Sequence, residues 1–186
     1  MVGAALRLGW RLRVHGAERV PLSGPLIVAC NHVSYFDPPA LGVALPRPVH
    51  YMAKVDLFRI PILGTLIRWL GAYPVDRSRG DVAAFKRSVE VLRSGAAIGI
   101  FPEGTRNKTG TVRPQIGIAL LAARSGAPVL PAYVSGTARA HRFARIDVVF
   151  GEPVRLGADE KASREDMANW TNEIMARIGA LRETLE

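Results

Sequence analysis

A histidine and an aspartate separated by four residues are the first side chains in this sequence that can carry out chemistry. His32 lies just after the apolar run 26–29, and Asp37 follows it across a short turn. The carboxylate can reach back to one imidazole nitrogen, which leaves the other as a neutral acceptor for a hydroxyl proton. The pair is therefore a candidate for general-base chemistry.

The same residues also have a purely structural interpretation. Asp37 precedes Pro38, and an aspartate followed by proline is typical of a helix N-cap with proline at the first helical position. A histidine that follows a strand can likewise be an ordinary turn residue. Both interpretations stay open at the level of these residues alone.

A second polar turn follows another apolar run. Residues 97–101 predict a buried strand that leads directly into Pro102-Glu103-Gly104-Thr105-Arg106-Asn107. In open α/β sheets, ligands bind in the crevice at the carboxyl ends of the strands. We therefore expect the turns around His32 and Glu103 to form two sides of one crevice.

Strands and helices alternate along the rest of the chain. Further strands are predicted near 11–15 and over 49–53, 72–75, 129–134 and 146–150, and helices over 38–45, 81–94 and 114–123. A last helix is predicted to begin after Ser163, with Asp166 completing its cap. The alternation predicts a single α/β domain over 1–186, with a mixed, mostly parallel central sheet flanked by helices.

The composition is that of a folded protein with a strongly basic surface. Lys and Arg number 25 against 16 Asp and Glu, so the formal net charge is +9, and arginine supplies most of the excess. Such a surface favours nucleic acid or an anionic bilayer. Aromatic residues make up 7% and show no interleaved RNA-binding pattern, so we expect a membrane surface and no nucleic acid.

The cysteine and the histidines do not predict a metal site. Cys30 is the one cysteine, so it cannot form a disulfide within the chain, and it lies in an apolar run that favours core packing. The four histidines are scattered, and a site would require His32, Asp37 and Glu103 to converge. We expect no metal.

Two segments have the composition of membrane or pocket surfaces. Residues 1–14 mix apolar residues with arginines, lack the apolar core of a signal peptide, and are typical of an interfacial anchor or of a segment that packs on its own domain. Residues 55–71 are apolar on most sides but are interrupted by Pro61 and Gly64. They predict two short helices that line a pocket, contact a membrane, or belong to the core.

In four blocks the chain resembles the glycerolipid acyltransferases, specifically the bacterial 1-acylglycerol-3-phosphate acyltransferases. The His-Asp pair is weak evidence alone, but it is specific when Phe-Pro-Glu-Gly-Thr-Arg follows at this distance. The blocks lie in the family's order within residues 26–135: Asn31-His32 with Asp37; Lys54 to Arg77 with Pro61, Gly64 and Gly71; Phe101 to Arg106; and Val129-Leu130-Pro131.

The resemblance implies a glycerol-3-phosphate acyltransferase-like fold and a role for each block. It implies that His32 is the general base and Asp37 its orienting partner, without a covalent acyl-enzyme. The implied contacts of the acceptor's phosphate are Lys54, Arg77, Glu103, Gly104, Thr105 and Arg106. The apolar stretch 57–70 predicts an acyl pocket lined by Leu57, Phe58, Ile62 and Leu66, and the resemblance adds Pro131, whose implied role is structural or acyl-lining.

The reaction that the resemblance implies moves a fatty acyl group to the free hydroxyl of 1-acylglycerol 3-phosphate, which gives phosphatidic acid. The donor is a thioester of coenzyme A or acyl carrier protein, and no other cofactor is expected. The implied location is the cytoplasmic face of the cell membrane, with peripheral or monotopic attachment. The alternatives are another lyso-lipid acceptor and a non-catalytic anionic-lipid-binding protein.

Two departures from the family pattern bear on these expectations. The Phe-Lys pair that many members carry downstream of the third block is replaced here within residues 112–117, and the long hydrophobic N-terminus of many relatives is shortened. The first departure concerns the choice of acceptor, and the second concerns membrane attachment.

Overall fold

A seven-stranded sheet forms the centre of the protein in a computed structural model that describes residues 9–69, 71–75, 82–107, 109–155 and 162–185. The strand order is β1-β7-β6-β2-β5-β3-β4. β7 is antiparallel to β6, and the other five pairs are parallel. The strands are β1 (Arg13–His15), β2 (Leu26–Cys30), β3 (Val49–Lys54), β4 (Ala72–Val75), β5 (Ala97–Ile100), β6 (Val129–Ser135) and β7 (Asp147–Phe150).

Helices cover both faces of the sheet. The α-helices are α1 (Asp37–Ala44), α2 (Pro61–Trp69), α3 (Val82–Arg93), α4 (Gly117–Ser125) and α5 (Arg164–Glu183), and 3₁₀ helices span Ala17–Arg19, Val55–Arg59 and Thr137–Arg142. Successive side chains of β2 point to opposite faces. Leu26 and Val28 pack with α1, whereas Ile27 and Ala29 pack with α3, α4 and α5. This arrangement confirms the predicted mixed, mostly parallel α/β sheet.

The central strand β2 is the strand that the sequence marks most clearly. All five of its residues are fully buried, because β5 and β6 flank it and helices cover both of its faces. A parallel strand buried in this way carries an uninterrupted apolar run instead of an alternating one. The run that precedes His32 therefore fixes the position of that residue at the carboxyl edge of the sheet.

Two helix ends test the predicted boundaries. The predicted cap of α5 is confirmed: Ser163 Oγ accepts from the Asp166 N–H at 3.1 Å, and Asp166 Oδ2 accepts from the Ser163 N–H at 2.9 Å. The predicted start of α4 at Pro114 is wrong, since the helix begins at Gly117. The Gln115 N–H donates to the Pro102 carbonyl at 2.8 Å, so this loop packs against the second polar turn.

The N-terminal segment lies only partly within the described residues, which begin at Gly9. The Trp10 indole N–H donates to the Ala140 carbonyl at 2.6 Å, and Trp10 and Leu12 pack against the core beside α1. This part of the candidate anchor therefore packs on its own domain. None of the helices within the described ranges has the length and apolar character needed to cross a membrane.

Tyr51 connects the central sheet to the helix that carries Asp37. Burial raises the pKa of the Tyr51 phenol well above its usual range, so the hydroxyl stays protonated, and it donates to the Pro38 carbonyl at 3.0 Å. The ring lies directly against Gly99 of β5, where a Cβ would enter the van der Waals radius of the ring carbons. Gly99 thus leaves room for the ring that supports the start of α1.

We expect Gly99→Ala to lower the free energy of unfolding by about 1–3 kcal/mol. The added methyl group would overlap the buried Tyr51 ring, whose hydroxyl is bonded to the Pro38 carbonyl. Urea denaturation measures this change. Gly179→Ala in α5 is the matched control: nothing lies near a Cβ there, and alanine favours a helix, so stability should stay equal or rise. Unchanged stability of Gly99→Ala would show that Tyr51 can move aside.

Candidate active site

The two polar turns meet at the carboxyl edge of the sheet. β2 and β5 are adjacent and parallel, so the residues that follow them lie side by side. The His32 and Phe101 rings stack with their centroids 4.3 Å apart, and the Asn107 N–H donates to the His32 carbonyl at 2.6 Å. The two turns therefore meet as expected from the sequence, with His32 on one side and residues 101–107 on the other.

His32 and Asp37 form a hydrogen-bonded pair within this crevice. His32 Nδ1 lies 2.9 Å from Asp37 Oδ2, and the same oxygen accepts from the Val33 and Ser34 N–H groups, each at 2.7 Å. The Asp37 side chain is fully buried, whereas that of His32 is 16% exposed. Since a carboxylate accepts only, Nδ1 carries the proton and Nε2 is left as the acceptor.

The capping interpretation of Asp37 is wrong. Helix α1 begins at Asp37 itself, its N-cap is Phe36, and no side chain caps it. The Asp37 carboxylate instead bonds back to the turn that precedes it. Pro38 still lies in the first turn of the helix, where its fixed φ is favourable.

Asn31 determines where β2 ends and His32 begins. Its Nδ2 donates to the Val134 carbonyl at 3.0 Å, and its Oδ1 accepts from the Val134 N–H at 2.8 Å. A side-chain amide thus takes the place of the next peptide in the β2–β6 ladder, which releases the main chain to turn toward His32. Cys30 packs in the core as expected, and burial raises the pKa of its thiol well above the usual range.

Glu103 joins the second turn to His32. Its carboxylate accepts from the Asn107 side chain and from the main-chain N–H of His32. Burial, to 4% exposure, raises the pKa of Glu103, and these hydrogen bonds oppose the shift. Among the described residues, Glu103 Oε2 and Asp37 Oδ1 are buried oxygens without a hydrogen-bond partner. Glu103 therefore holds the main chain beneath His32, with one oxygen left to accept another bond.

Arg106 lies over the His32 turn. Its guanidinium carbon is 3.8 Å from the centre of the exposed Tyr35 ring, a cation–π contact that holds the planar fork in place. Thr105 is exposed beside it. Gly104 has φ +68°, and a Cβ there would lie 2.7 Å from Gln115 Nε2, so this turn requires glycine.

The other predicted phosphate contacts lie farther from the dyad of His32 and Asp37 or lie outside the described residues. Lys54 ends β3 and its Nζ lies 2.6 Å from Asp56 Oδ2, with both side chains largely exposed. β5 separates β3 from β2, so strand spacing puts Lys54 about 10 Å from the His32 turn. Arg77 lies outside the described residues.

An apolar cavity of about 310 Å³ opens beside the dyad, and Phe101 forms a wall of it. The Ser88 hydroxyl at its edge is satisfied, because Ser88 Oγ lies 2.7 Å from the Tyr73 hydroxyl and 2.7 Å from the Ala84 carbonyl. Strands β3 and β5 and helices α3 and α4 enclose the space. Its lining is Met52, Val75, Ala84, Phe85, Ser88, Gly99, Ile100, Phe101, Pro102, Gly104, Gln115, Gly117, Ile118 and Leu121.

Of the residues predicted for an acyl pocket, the four whose side chains are described do not line this cavity. Pro131 is buried within β6, Phe58 is buried under Arg68, Leu57 is half-buried and Ile62 is 86% exposed. The side chain of Leu66 lies outside the part of the chain that the structure describes. Segment 55–69 forms the two predicted short helices, but they pack on each other: Gly64 approaches the Phe58 main chain so closely that a Cβ would clash.

No three acidic, histidine or cysteine side chains in the described ranges are grouped to hold a metal ion. The sequence profile described as Acyltransferase matches residues 11–135. The chain belongs to the acyltransferase family. The predicted resemblance is therefore confirmed.

Relatives of this acyltransferase align with two thirds of the chain or more. The 1-acyl-sn-glycerol-3-phosphate acyltransferase of Bacillus subtilis is 31% identical over 97% of this chain and 93% of its own. The corresponding enzyme of Borreliella burgdorferi is 33% identical over 69% of this chain and 53% of its own. The crystal structure of the 1-acyl-sn-glycerophosphate (LPA) acyltransferase PlsC from Thermotoga maritima aligns over 98% of this chain and 79% of its own, with TM-score 0.74 and 26% identity.

Sequence reasoning named the charged residues of this candidate site but missed the residues that hold them in place. Asn31, Tyr35 and Asn107 had no assigned role, although each holds a site residue in place. A polar amide directly after a buried strand is the one local signal that would have identified Asn31. The partners of Tyr35 and Asn107 lie on the other turn, about 70 positions away in sequence, and no local pattern specifies them.

The raised pKa of Glu103 predicts a pH-dependent stability. The folded state binds the proton more tightly than the unfolded chain, so the free energy of unfolding falls as pH rises from about 4.5 through the folded pKa. Glu103→Gln should lack this fall. The free energy of unfolding of the wild type, relative to that of the variant, should therefore fall by about 1.4 kcal/mol for each pH unit between 4.5 and the folded pKa.

Urea unfolding of both proteins between pH 4 and pH 8 measures this difference. Glu165→Gln, which removes an exposed carboxylate, is the control for the effect that the loss of a surface carboxylate has on the pH dependence of the free energy of unfolding. Parallel curves for wild type and Glu103→Gln would mean that burial does not perturb Glu103.

Proposed function

We propose that the protein transfers a fatty acyl group from an acyl thioester to the free hydroxyl of 1-acylglycerol 3-phosphate, which gives phosphatidic acid. The observation that carries the proposal is the 2.9 Å hydrogen bond between His32 Nδ1 and Asp37 Oδ2, within a crevice that Arg106 overhangs. The names of the relatives in Bacillus subtilis and Borreliella burgdorferi support this acceptor.

His32 acts as the general base in this reaction. Its Nε2 takes the proton of the acceptor hydroxyl while that oxygen attacks the thioester carbonyl carbon. When the tetrahedral intermediate collapses, the C–S bond breaks and the thiolate takes the same proton from His32. General-base help of this kind contributes about 10²- to 10⁴-fold in rate. No acyl group is attached to the enzyme at any stage.

Asp37 holds His32 in the required tautomer and stabilises the imidazolium as it forms. Its three hydrogen bonds fix the carboxylate, so the imidazole cannot rotate away. The developing positive charge lies next to a fixed negative one. Because the carboxylate is buried, water does not screen this attraction.

Arg106 binds the phosphate of the acceptor and thereby positions its hydroxyl. A guanidinium gives a phosphate two parallel hydrogen bonds, and the Tyr35 ring keeps the fork flat above the His32 turn. Thr105 and Gly104 line the same turn, and Lys54 and Arg77 supply further positive charge. Glu103 is buried and bonded to His32, so it supports the turn and does not face the phosphate.

The fatty chain of the donor occupies the cavity beside Phe101. The cavity is apolar, and its wall is the ring that stacks on His32, so a chain there would present its carbonyl to the base. The donor is a thioester of coenzyme A or of acyl carrier protein, and the reaction needs no further cofactor. The enzyme acts as a peripheral or monotopic protein on the cytoplasmic face of an anionic membrane, with residues 1–14 as part of the attachment and no nucleic acid as partner.

Purified protein should form phosphatidic acid from 1-acylglycerol 3-phosphate and acyl-coenzyme A, because base and phosphate contact lie in one crevice. His32→Ala should fold normally and lose at least about 10²-fold in kcat. Monoacylglycerol, which lacks the phosphate, should be a poor acceptor. Equal rates with both acceptors would favour another lyso-lipid as substrate, and full activity of His32→Ala would exclude the dyad mechanism.

Ala84→Leu should shift donor preference toward shorter chains, since Ala84 is buried and lines the cavity. Loss of room for one or two methylene groups should reduce kcat/KM for the longest accepted thioesters about 10-fold or more relative to short ones. Ala83→Leu is the matched control, because Ala83 is the exposed neighbour on the same helix. An unchanged chain-length profile for Ala84→Leu would place the fatty chain elsewhere.

A further inference from the structure

The exposed hydrophobic side chains of this protein are concentrated on one edge of the sheet. Seven large hydrophobic side chains stand out in the described part of the chain, and six of them lie at the carboxyl edge, where His32 also lies. The seventh, Leu22, is 72% exposed at the opposite edge, just before β2. The six are Tyr35, Phe36, Ile60, Ile62, Val82 and Phe143.

One group of these side chains forms an aromatic cluster next to the His32 turn. The ring of Trp10 lies 5.6 Å from that of Phe36 and 5.1 Å from that of Phe143, centroid to centroid. The Trp10 indole is fixed by its bond to the Ala140 carbonyl. Phe143 is 65% exposed, so the cluster presents an apolar face to the outside while its base is held rigidly.

The backbone of Phe143 has a conformation that its side chain disfavours. Its φ is +52°, a left-handed conformation that glycine or asparagine adopts easily and a bulky aromatic residue does not. The side chain is mostly in solvent, so little burial offsets this strain. An exposed aromatic ring in a strained conformation is typical of a residue kept for binding.

A second apolar group, the Ile60 group, consists of Ile60, Ile62 and Val82 and lies on the other side of the crevice. Ile60 and Ile62 follow β3, and Val82 begins α3, whose far end leads into the amino end of β5. The sheet order places the β2 and β5 turns between this group and the aromatic cluster. The dyad is thus flanked by exposed apolar side chains on both sides.

The same edge carries exposed positive charge. Within the described loops of this edge, Asp56 is the exposed carboxylate, while Asp37 and Glu103 are buried. Exposed arginines surround the apolar groups: Arg11, Arg59, Arg113, Arg139 and Arg142. Apolar side chains among exposed cations match a bilayer that has anionic headgroups above hydrocarbon.

We infer that the carboxyl edge is the surface by which the protein docks on an anionic lipid bilayer, with the aromatic cluster and the Ile60 group as two contact points that straddle His32. The inference rests on the proposed function, because it takes the acceptor to be a membrane lipid. A bilayer is favoured over an acidic protein partner because the apolar contacts stand on two separate sides of an open crevice. Docked in this way, the crevice opens toward the headgroups that hold the acceptor.

Binding to vesicles of phosphatidylcholine with and without phosphatidylglycerol tests the docking surface. Phe143→Asn suits the backbone at that position, so a loss of binding would not reflect misfolding. Phe143→Asn and Ile60→Asn should each lower the partition coefficient on anionic vesicles about 10-fold, as expected for the loss of one inserted apolar side chain. Leu22→Asn removes an equally exposed side chain from the opposite edge and should leave binding unchanged.

A second matched pair of variants tests the contribution of the exposed arginines. Arg142→Gln at the carboxyl edge should weaken binding to anionic vesicles about 5-fold and leave binding to phosphatidylcholine alone unaffected. Arg124→Gln, which removes an exposed arginine at the end of α4, should have no such effect. Equal losses for Phe143→Asn and Leu22→Asn, or for Arg142→Gln and Arg124→Gln, would overturn the inference.

Two further outcomes distinguish membrane docking from the docking of a protein partner and from a failure of the proposed function. If Phe143→Asn weakened binding of an acidic acyl carrier protein and left vesicle binding intact, the surface would be a protein-docking site and the inference would be wrong. Transfer to a short-chain 1-acylglycerol 3-phosphate dissolved as monomers should be the same in Phe143→Asn as in wild type. If wild type itself failed with this soluble acceptor, the proposed function would fail, whatever the vesicles showed.

Discussion

The parallel pairing of β2 with β5 is the constraint on which the site depends. Ala29 pairs with Ile100, so the residues that leave the two strands are adjacent, and His32 and Phe101 meet ring to ring. Both strands are buried on both faces, so a slip in register would disrupt the close packing of their side chains against the helices on either side and is strongly disfavoured. Core packing therefore sets the position of the imidazole, and the turns only refine it.

Two buried carboxylates hold His32 from different directions. Burial of a carboxylate costs several kcal/mol, and hydrogen bonds to a charged group return about 1.5–3 kcal/mol each. Asp37 gathers three donors, and Glu103 also gathers three, namely the Asn107 side chain, the His32 N–H and its own N–H. Asp37 fixes the ring and Glu103 fixes the main chain. In the proposed reaction the base would thus be oriented before any substrate arrives, which lowers the entropic cost of reaction.

Local contacts were predictable from the sequence, and contacts between distant segments were not. The apolar run of β2 and the reach of Asp37 to His32 involve residues at most five positions apart within one turn. The contact of Arg106 with Tyr35 and the cavity between α3 and α4 depend on how separate segments pack. Segment 55–69 shows the limit: its apolar pattern indicated packing but not the partner, and the partner is the segment itself, through Gly64 and Phe58.

The position of His32 at an apolar, basic edge also bears on how water would be kept from the thioester in the proposed reaction. A base that can activate a lipid hydroxyl can equally activate water, and hydrolysis would then waste the donor. His32 is already shielded on one face by Phe101 and on the Asp37 side by the buried turn. An open crevice cannot exclude water by itself, whereas a crevice closed by the headgroup region of a bilayer can do so. On this view, the surface that brings the acceptor to the enzyme also favours acyl transfer over hydrolysis.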